Sequence, residues 1–203
     1  MTMNISVSTD KPNPIQLLWP TPMWLGYLDI DKEKLIDLAE WARLQGWENV
    51  GDTPVFTTHN GEQYLIPRGL PDADGPAGIQ TWETAPGVKE FWPQIIKALN
   101  EFLVALTGQT CYEATPNGSQ FVFYREGGHQ WPHWHKATWT AILGLRGRGT
   151  LLIQDPRPLA TTQTALLKEI IINPGQLIIT PGYLVHSSHP TQTERDILVI
   201  VGD

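Results

Sequence analysis

The 203-residue chain contains a single cysteine, Cys111, so no internal disulfide can form and a reducing compartment is expected. It has no basic run, and its net charge of −7 argues against a partner recognised through a phosphate backbone, so nucleic acid is not expected. No uninterrupted apolar stretch approaches the roughly 20 residues that cross a bilayer. The polar opening MTMNISVSTDKPNP lacks the apolar segment of a secretion signal. A cytoplasmic protein without membrane contact is the expectation. No internal repeat is evident.

What the chain does have is 41% apolar and only 17% charged residues, the balance of a globular domain rather than a disordered chain. Seventeen prolines and 18 glycines cut it into short pieces, as an all-β core requires. We expect a disordered lead-in over 1–14 and one domain over 15–203. Within that domain, 15–117 would supply helical support and a lid, and 118–203 the β core. IQLLWPTPMWLGYL, broken by prolines, reads as an edge strand. DKEKLIDLAEWARLQG reads as a helix: Asp31 can cap it, Leu35, Leu38, Ala39 and Ala42 share a face, and Gly46 can end it. Residues 47–86 show turn signals and no sustained periodicity, which suits a lid or substrate-binding region. A second helix begins near Val88 or just before Pro93, places Pro93 in its first turn, and closes at Gly108. From about residue 118 the runs QFVFY, TWTAILGL, TLLIQ, EIIIN, QLIIT and DILVIVG follow one another as short strands, the pattern of a sandwich or barrel.

Three of the six histidines fall within seven residues, in GGHQWPHWHKATW. In an extended strand, residues two apart point to one face, so His133 and His135 can reach a single cation. His186 is the candidate third ligand, carried back by YLVH after the turn that follows QLIIT. Imidazole suits iron, zinc, copper and nickel alike. His189, beside a proline, reads as a loop residue or a support for a ligand. Arg195 opens the last strand and shares a face with Ile197, Val199 and Val201. If that face is interior, Arg195 needs an anion, and its planar fork matches a carboxylate at two points. The blander alternative is a salt bridge to Asp155 or Glu126. Tyr124 is a further donor to the same anion, or an ordinary core tyrosine. Trp131, Trp134 and Trp139 crowd the histidines; they wall a substrate pocket, or at least one of them is core.

This order of residues resembles the 2-oxoglutarate/Fe(II)-dependent oxygenases, whose pattern is His-x-acid, a distal His, and an Arg about ten residues later. His133, His186 and Arg195 match it, and Tyr124 to Gly128, which reads as a turn ahead of the histidine pair, is similar to the lead-in of prolyl-hydroxylase-like members. The likeness is strongest to a bacterial and phage group with His-x-His, through LLWPTP, IQDPRP and NPGQLIITPGYLVH, and it covers most of the chain from about residue 16. The resemblance implies a double-stranded β-helix (jelly roll, cupin-like), mainly β with flanking helices. It implies Fe(II) on His133, His135 and His186, and 2-oxoglutarate held by Arg195 with Tyr124. A small-molecule or peptide substrate would be hydroxylated with O2, giving succinate and CO2. One departure is that His135 stands where most of the superfamily has a carboxylate; a carboxylate such as Asp155 or Glu126 is the alternative ligand. Gly127, His133, His135, Gly175, Pro181 and His186 also partly match the cupin motifs, which leaves two rival readings: a three-histidine thiol dioxygenase without 2-oxoglutarate, and a metal- or ligand-binding β-helix with no turnover.

Overall fold

The structure is a computed structural model, and its described residues are 15–18, 21–51, 58–66, 85–108, 116–156 and 167–203. The expected lead-in over 1–14 and Cys111 lie outside them, as do 52–57 and 67–84 of the expected lid. Among the described residues, ten strands and two helices follow in chain order as β1 (Ile15–Leu18), β2 (Thr21–Tyr27), α1 (Lys32–Arg43), β3 (Thr58–Leu65), α2 (Val88–Thr107), β4 (Pro116–Gln130), β5 (Trp139–Arg146), β6 (Gly149–Gln154), β7 (Leu167–Ile172), β8 (Gln176–Pro181), β9 (His186–Ser188) and β10 (Arg195–Gly202). Every strand pair is antiparallel. One sheet has the order β1-β2-β8-β5-β10-β4-β3 and the other β7-β6-β9. This is a double-stranded β-helix with both helices laid on the outer face of the larger sheet.

The strand residues explain the layering. In β5, β8 and β10 nearly every position is buried, because the larger sheet is covered on both faces. Period-two alternation sends Leu198 and Ile200 outward to the helices, with Ala141, Leu143, Leu177 and Ile179. Ile197 and Val199 point inward with Val122, Ile142 and Ile178, to meet Leu151, Ile153, Ile170 and Ile172 of the smaller sheet. β7, covered on one side only, alternates in its last residues between exposed and buried.

α1 forms as its pattern predicts. Asp31 accepts from the Glu33 N–H at 3.0 Å, and Leu35, Leu38, Ala39 and Ala42 are buried. It ends at Leu44, with Gly46 two residues beyond at φ 68°. α2 starts a turn before the position that would put Pro93 in its first turn. Val88 and Phe91 are buried in the core and hold that extra turn, so Pro93 is the sixth helical residue. Gly108 closes α2 in the left-handed conformation at φ 72°. An ion-pair cluster ties α1 to the large sheet. Asp196, fully buried, takes Arg43 at 3.0 Å and Arg146 Nε at 2.7 Å, and Glu40 accepts from both arginines at 2.9 Å.

Three expectations change. The segment 15–117 supplies β1, β2 and β3 to the larger sheet, so the β core is not confined to 118–203. Within 47–86, residues Thr58–Leu65 form β3 on the edge beside β4. Its alternation is hidden because the register shifts between His59 and Gly61, around Asn60 at φ 49°. Residues Tyr124 to Gly128 do not turn: β4 runs through them to Gln130, with Gly127 at φ 80° and a pair of backbone bonds to Thr191 of 2.7 and 3.0 Å.

Candidate metal centre and anion pocket

His133 and His135 lie beyond the end of β4, in the irregular segment 131–138, rather than in a regular strand. Pro132 has no N–H to offer a ladder, which ends the pairing there. What replaces the strand is a single antiparallel bridge. The His133 N–H donates to the His186 carbonyl at 2.9 Å, and the His186 N–H returns the bond at 2.8 Å. His135 is fastened separately, its N–H donating to the Gly182 carbonyl at 2.9 Å while the Gly182 N–H reaches the Thr138 carbonyl at 3.1 Å. Gly182 is needed for that approach, since a Cβ there would sit 2.1 Å from the Ala137 carbonyl oxygen. His186 begins β9, and its register opposite the buried Ile153 turns it into the space between the sheets.

The three rings converge. Their centroids are 4.4 Å (His133 to His186), 5.2 Å (His133 to His135) and 5.2 Å (His135 to His186) apart, and one nitrogen of each lies within 4.8 Å of the others. Backbone carbonyls fix the ring protons of two of them. The Trp131 carbonyl receives His133 Nδ1 at 2.8 Å, and the Leu184 carbonyl receives His186 Nδ1 at 2.9 Å. A carbonyl can only accept, so each Nδ1 carries the hydrogen and each Nε2 keeps a bare lone pair. His135 Nε2 is buried with no hydrogen-bond partner. Burial, reinforced by the neighbouring imidazoles, lowers the pKa of His186 to about 3 and of His135 to about 4; burial lowers that of His133. All three rings are therefore neutral near pH 7, the state a cation requires. Neither Asp155 nor Glu126 joins this group.

Arg195, the first residue of β10, pairs with Tyr124 of β4 and is 1% exposed. Its guanidinium lies over the Tyr124 ring, 5.2 Å from the centroid. Its Nε and Nη1 have no hydrogen-bond partner, nor has the Tyr124 hydroxyl. No described carboxylate forms an ion pair with Arg195. Burial lowers the Arg195 pKa, and it raises the Tyr124 pKa to about 12 against the opposing pull of Arg195. A buried cation beside a protonated phenol, with donors to spare, is chemically suited to receive an anion. Gly149 makes the room: a Cβ there would lie 2.3 Å from Arg195 Cδ and 2.5 Å from both Nε and Nη1.

The three tryptophans separate. Trp131 and Trp134 are exposed on the histidine segment, with Trp131 edge-on to His129 at 4.8 Å. Trp139 is fully buried on the outer face of β5, in the core beneath the helices. It is therefore a packing residue and not a pocket wall, because odd positions of β5 face away from the three histidines. Gly149 and Gly182 were not singled out in the sequence. The only signal was glycine in LRGRGT and TPGY, which also reads as a turn.

No family model matches the sequence, and no curated protein matches it. Solved structures do. OsALKBH1 is similar over 94% of this chain and 100% of its own, with a TM-score of 0.60 and 14% identity. A Pseudomonas putida prolyl-4-hydroxylase is similar over 89% of this chain and 91% of its own, at TM-score 0.54 and 14% identity. An oxidoreductase of the 2OG-Fe(II) oxygenase family from Burkholderia pseudomallei covers 88% of this chain and 84% of its own, at TM-score 0.55 and 14% identity. The chain thus has the double-stranded β-helix fold of 2-oxoglutarate/Fe(II) oxygenases. No described helix is long and apolar enough to cross a membrane.

Proposed function

We propose that the chain is a 2-oxoglutarate-dependent non-haem iron oxygenase that hydroxylates an organic substrate, a small molecule or a peptide. The observation that carries this reading is Arg195: a buried guanidinium with two unpartnered nitrogens, facing the same interior as the histidines. His133, His135 and His186 would hold Fe(II), and three neutral nitrogen donors suit it. Arg195 and the Tyr124 hydroxyl would take the far carboxylate of 2-oxoglutarate. When bound, iron and 2-oxoglutarate supply the oxidising power: one atom of O2 enters the product hydroxyl, the other enters succinate, and CO2 is released. The chain's own part is to bind and orient. The tautomers fixed by the Trp131 and Leu184 carbonyls aim two Nε2 lone pairs, and burial keeps water from the anion pocket. Trp131 and Trp134 would border the substrate entrance.

A three-histidine thiol dioxygenase is the second reading, favoured by the all-imidazole ligand set. It gives the open Arg195 donors no task. Titration of 2-oxoglutarate into the anaerobic Fe(II) protein separates the two. The weak visible charge-transfer band of chelated iron is expected, and an Arg195→Ala variant should need far more 2-oxoglutarate to reach it. Iron binding without a band at any concentration would sink the co-substrate assignment.

A further inference from the structure

A second cavity opens beside the metal ligands, at the opposite end of β10 from Arg195. It has a volume of about 370 Å³ and is bordered by His135, Val199, Val201, Gly118 and Gln120, with the end of β3 (Leu65, then Ile66) at its rim. Register places these groups on one surface. Val199 pairs with Gln120, Val201 with Gly118, and Leu65 with Gln120, and directly paired residues share a face. Thr140 pairs with Val201, so it belongs to the same face; it is 1% exposed and its hydroxyl has no partner.

A polar chain runs along this face. Gln130 Nε2 donates to Thr58 Oγ1 at 3.3 Å, Thr58 Oγ1 to Gln63 Oε1 at 2.6 Å, and Gln63 Nε2 to Gln120 Oε1 at 2.7 Å. Thr58, Gln63 and Gln130 are all buried, and burying such groups is costly unless they satisfy one another. They do so in a line that ends on the cavity wall. The backbone of Gln63 is itself held, by the Asn49 side chain at 3.0 Å and the Val50 N–H at 2.8 Å. The last member, Gln120, is left with an Nε2 that has no described partner and one spare lone pair on Oε1. No charged side chain borders the cavity.

We propose that this cavity is the primary-substrate subsite and that it takes an uncharged amide carrying a short apolar group, read by the Gln120 carboxamide. An amide answers both the open N–H and the spare lone pair of Gln120, and Val199, Val201, Leu65 and Ile66 match its apolar part. An ionised group would find no charged side chain at the cavity wall to pair with. The volume fits a small molecule or one residue of a peptide. Thr58 and Gln63 are positioning residues that hold the carboxamide in one orientation. This inference rests on the oxygenase reading only for the word substrate; the amide site stands on its own residues.

The test uses full-length protein loaded with Co(II) or with anaerobic Fe(II) plus 2-oxoglutarate. N-acetyl-leucinamide is the probe, and N-acetyl-leucine is its charged counterpart. Binding is followed by saturation-transfer NMR and by the visible band of the metal, which His135 couples to the cavity. The amide is expected to bind saturably and at least tenfold more tightly than the acid. Gln120→Leu is expected to weaken it about three- to tenfold, the span of a lost neutral hydrogen bond, while the 2-oxoglutarate band stays. Thr58→Val is expected to weaken it in the same direction without changing metal affinity. A tripeptide containing leucine amide bonds, tested alongside, tells a peptide from a free small amide. Equal binding of the acid, undiminished binding by Gln120→Leu, or no amide binding at all would overturn the proposal. Loss of the 2-oxoglutarate band with amide binding intact would count against the oxygenase reading alone.

Discussion

Replacing Gly149 with alanine should disable the anion pocket and spare the metal centre. The added Cβ would fall 2.3 Å from Arg195 Cδ and 2.5 Å from Nε and Nη1, far inside contact distance. Arg195 is 1% exposed, so its side chain cannot swing into solvent to escape; it must shift within the interior and misdirect its fork. Two charge-assisted hydrogen bonds are at stake, and losing one costs about 1.5–3 kcal/mol, or about 10- to 150-fold in the dissociation constant of 2-oxoglutarate. Gly149 opens β6 four residues before Ile153, the residue opposite His186, so the histidines should be untouched. The assay is a pair of anaerobic titrations on wild type and Gly149→Ala, one of Fe(II) and one of 2-oxoglutarate at saturating iron. Unchanged 2-oxoglutarate affinity would refute the role given to Arg195. A parallel loss of iron affinity would show that the variant damages the fold and not the pocket.

Other outcomes follow from the same geometry. His186→Ala removes the most buried of the three histidines and should lower divalent-metal affinity by at least tenfold, measured against a competing chelator. The metal-free protein should lose stability as pH falls from about 6.5 towards 3–4. His135 and His186 bind protons less readily when folded than when unfolded, so acid favours the unfolded chain, with a slope of at most about 1.4 kcal/mol per pH unit for each ring. Urea midpoints at pH 7, 6 and 5 would read this, and a His186→Asn variant should flatten the dependence; an equally steep profile in that variant would contradict the assignment. Phe102→Ala, in the core under α2, should cost about 3–5 kcal/mol of stability by thermal or urea unfolding and leave metal affinity intact.

The parts of the fold visible in the sequence are those whose burial is simple. DILVIVG and QLIIT read as strands because both faces of the larger sheet are covered, which makes their apolar runs nearly continuous. β3 was hidden for the opposite reason. Its THNGEQYL carries polar residues inward at Thr58 and Gln63, and a register shift at Asn60 destroys the alternation. In the site, period two on β10 was enough to turn Arg195 inward with Val199. The His133–His135 pair was legible as a ligand pair but not as an irregular segment, since Pro132 ends a strand whose Gly127 and Gly128 looked like a turn. Trp139 went to the core by its parity on β5, which can be known only once the two faces of that strand are assigned.

The reciprocal backbone bonds between His133 and His186 have a consequence for how single-histidine variants fail. They join the run-out of a large-sheet strand to the short strand of the smaller sheet through main-chain groups. A side-chain substitution at either position therefore removes one ring and leaves the backbone bridge that places the other. Such variants should keep the junction between the two sheets, so that what they lose is a donor atom and not the frame around it.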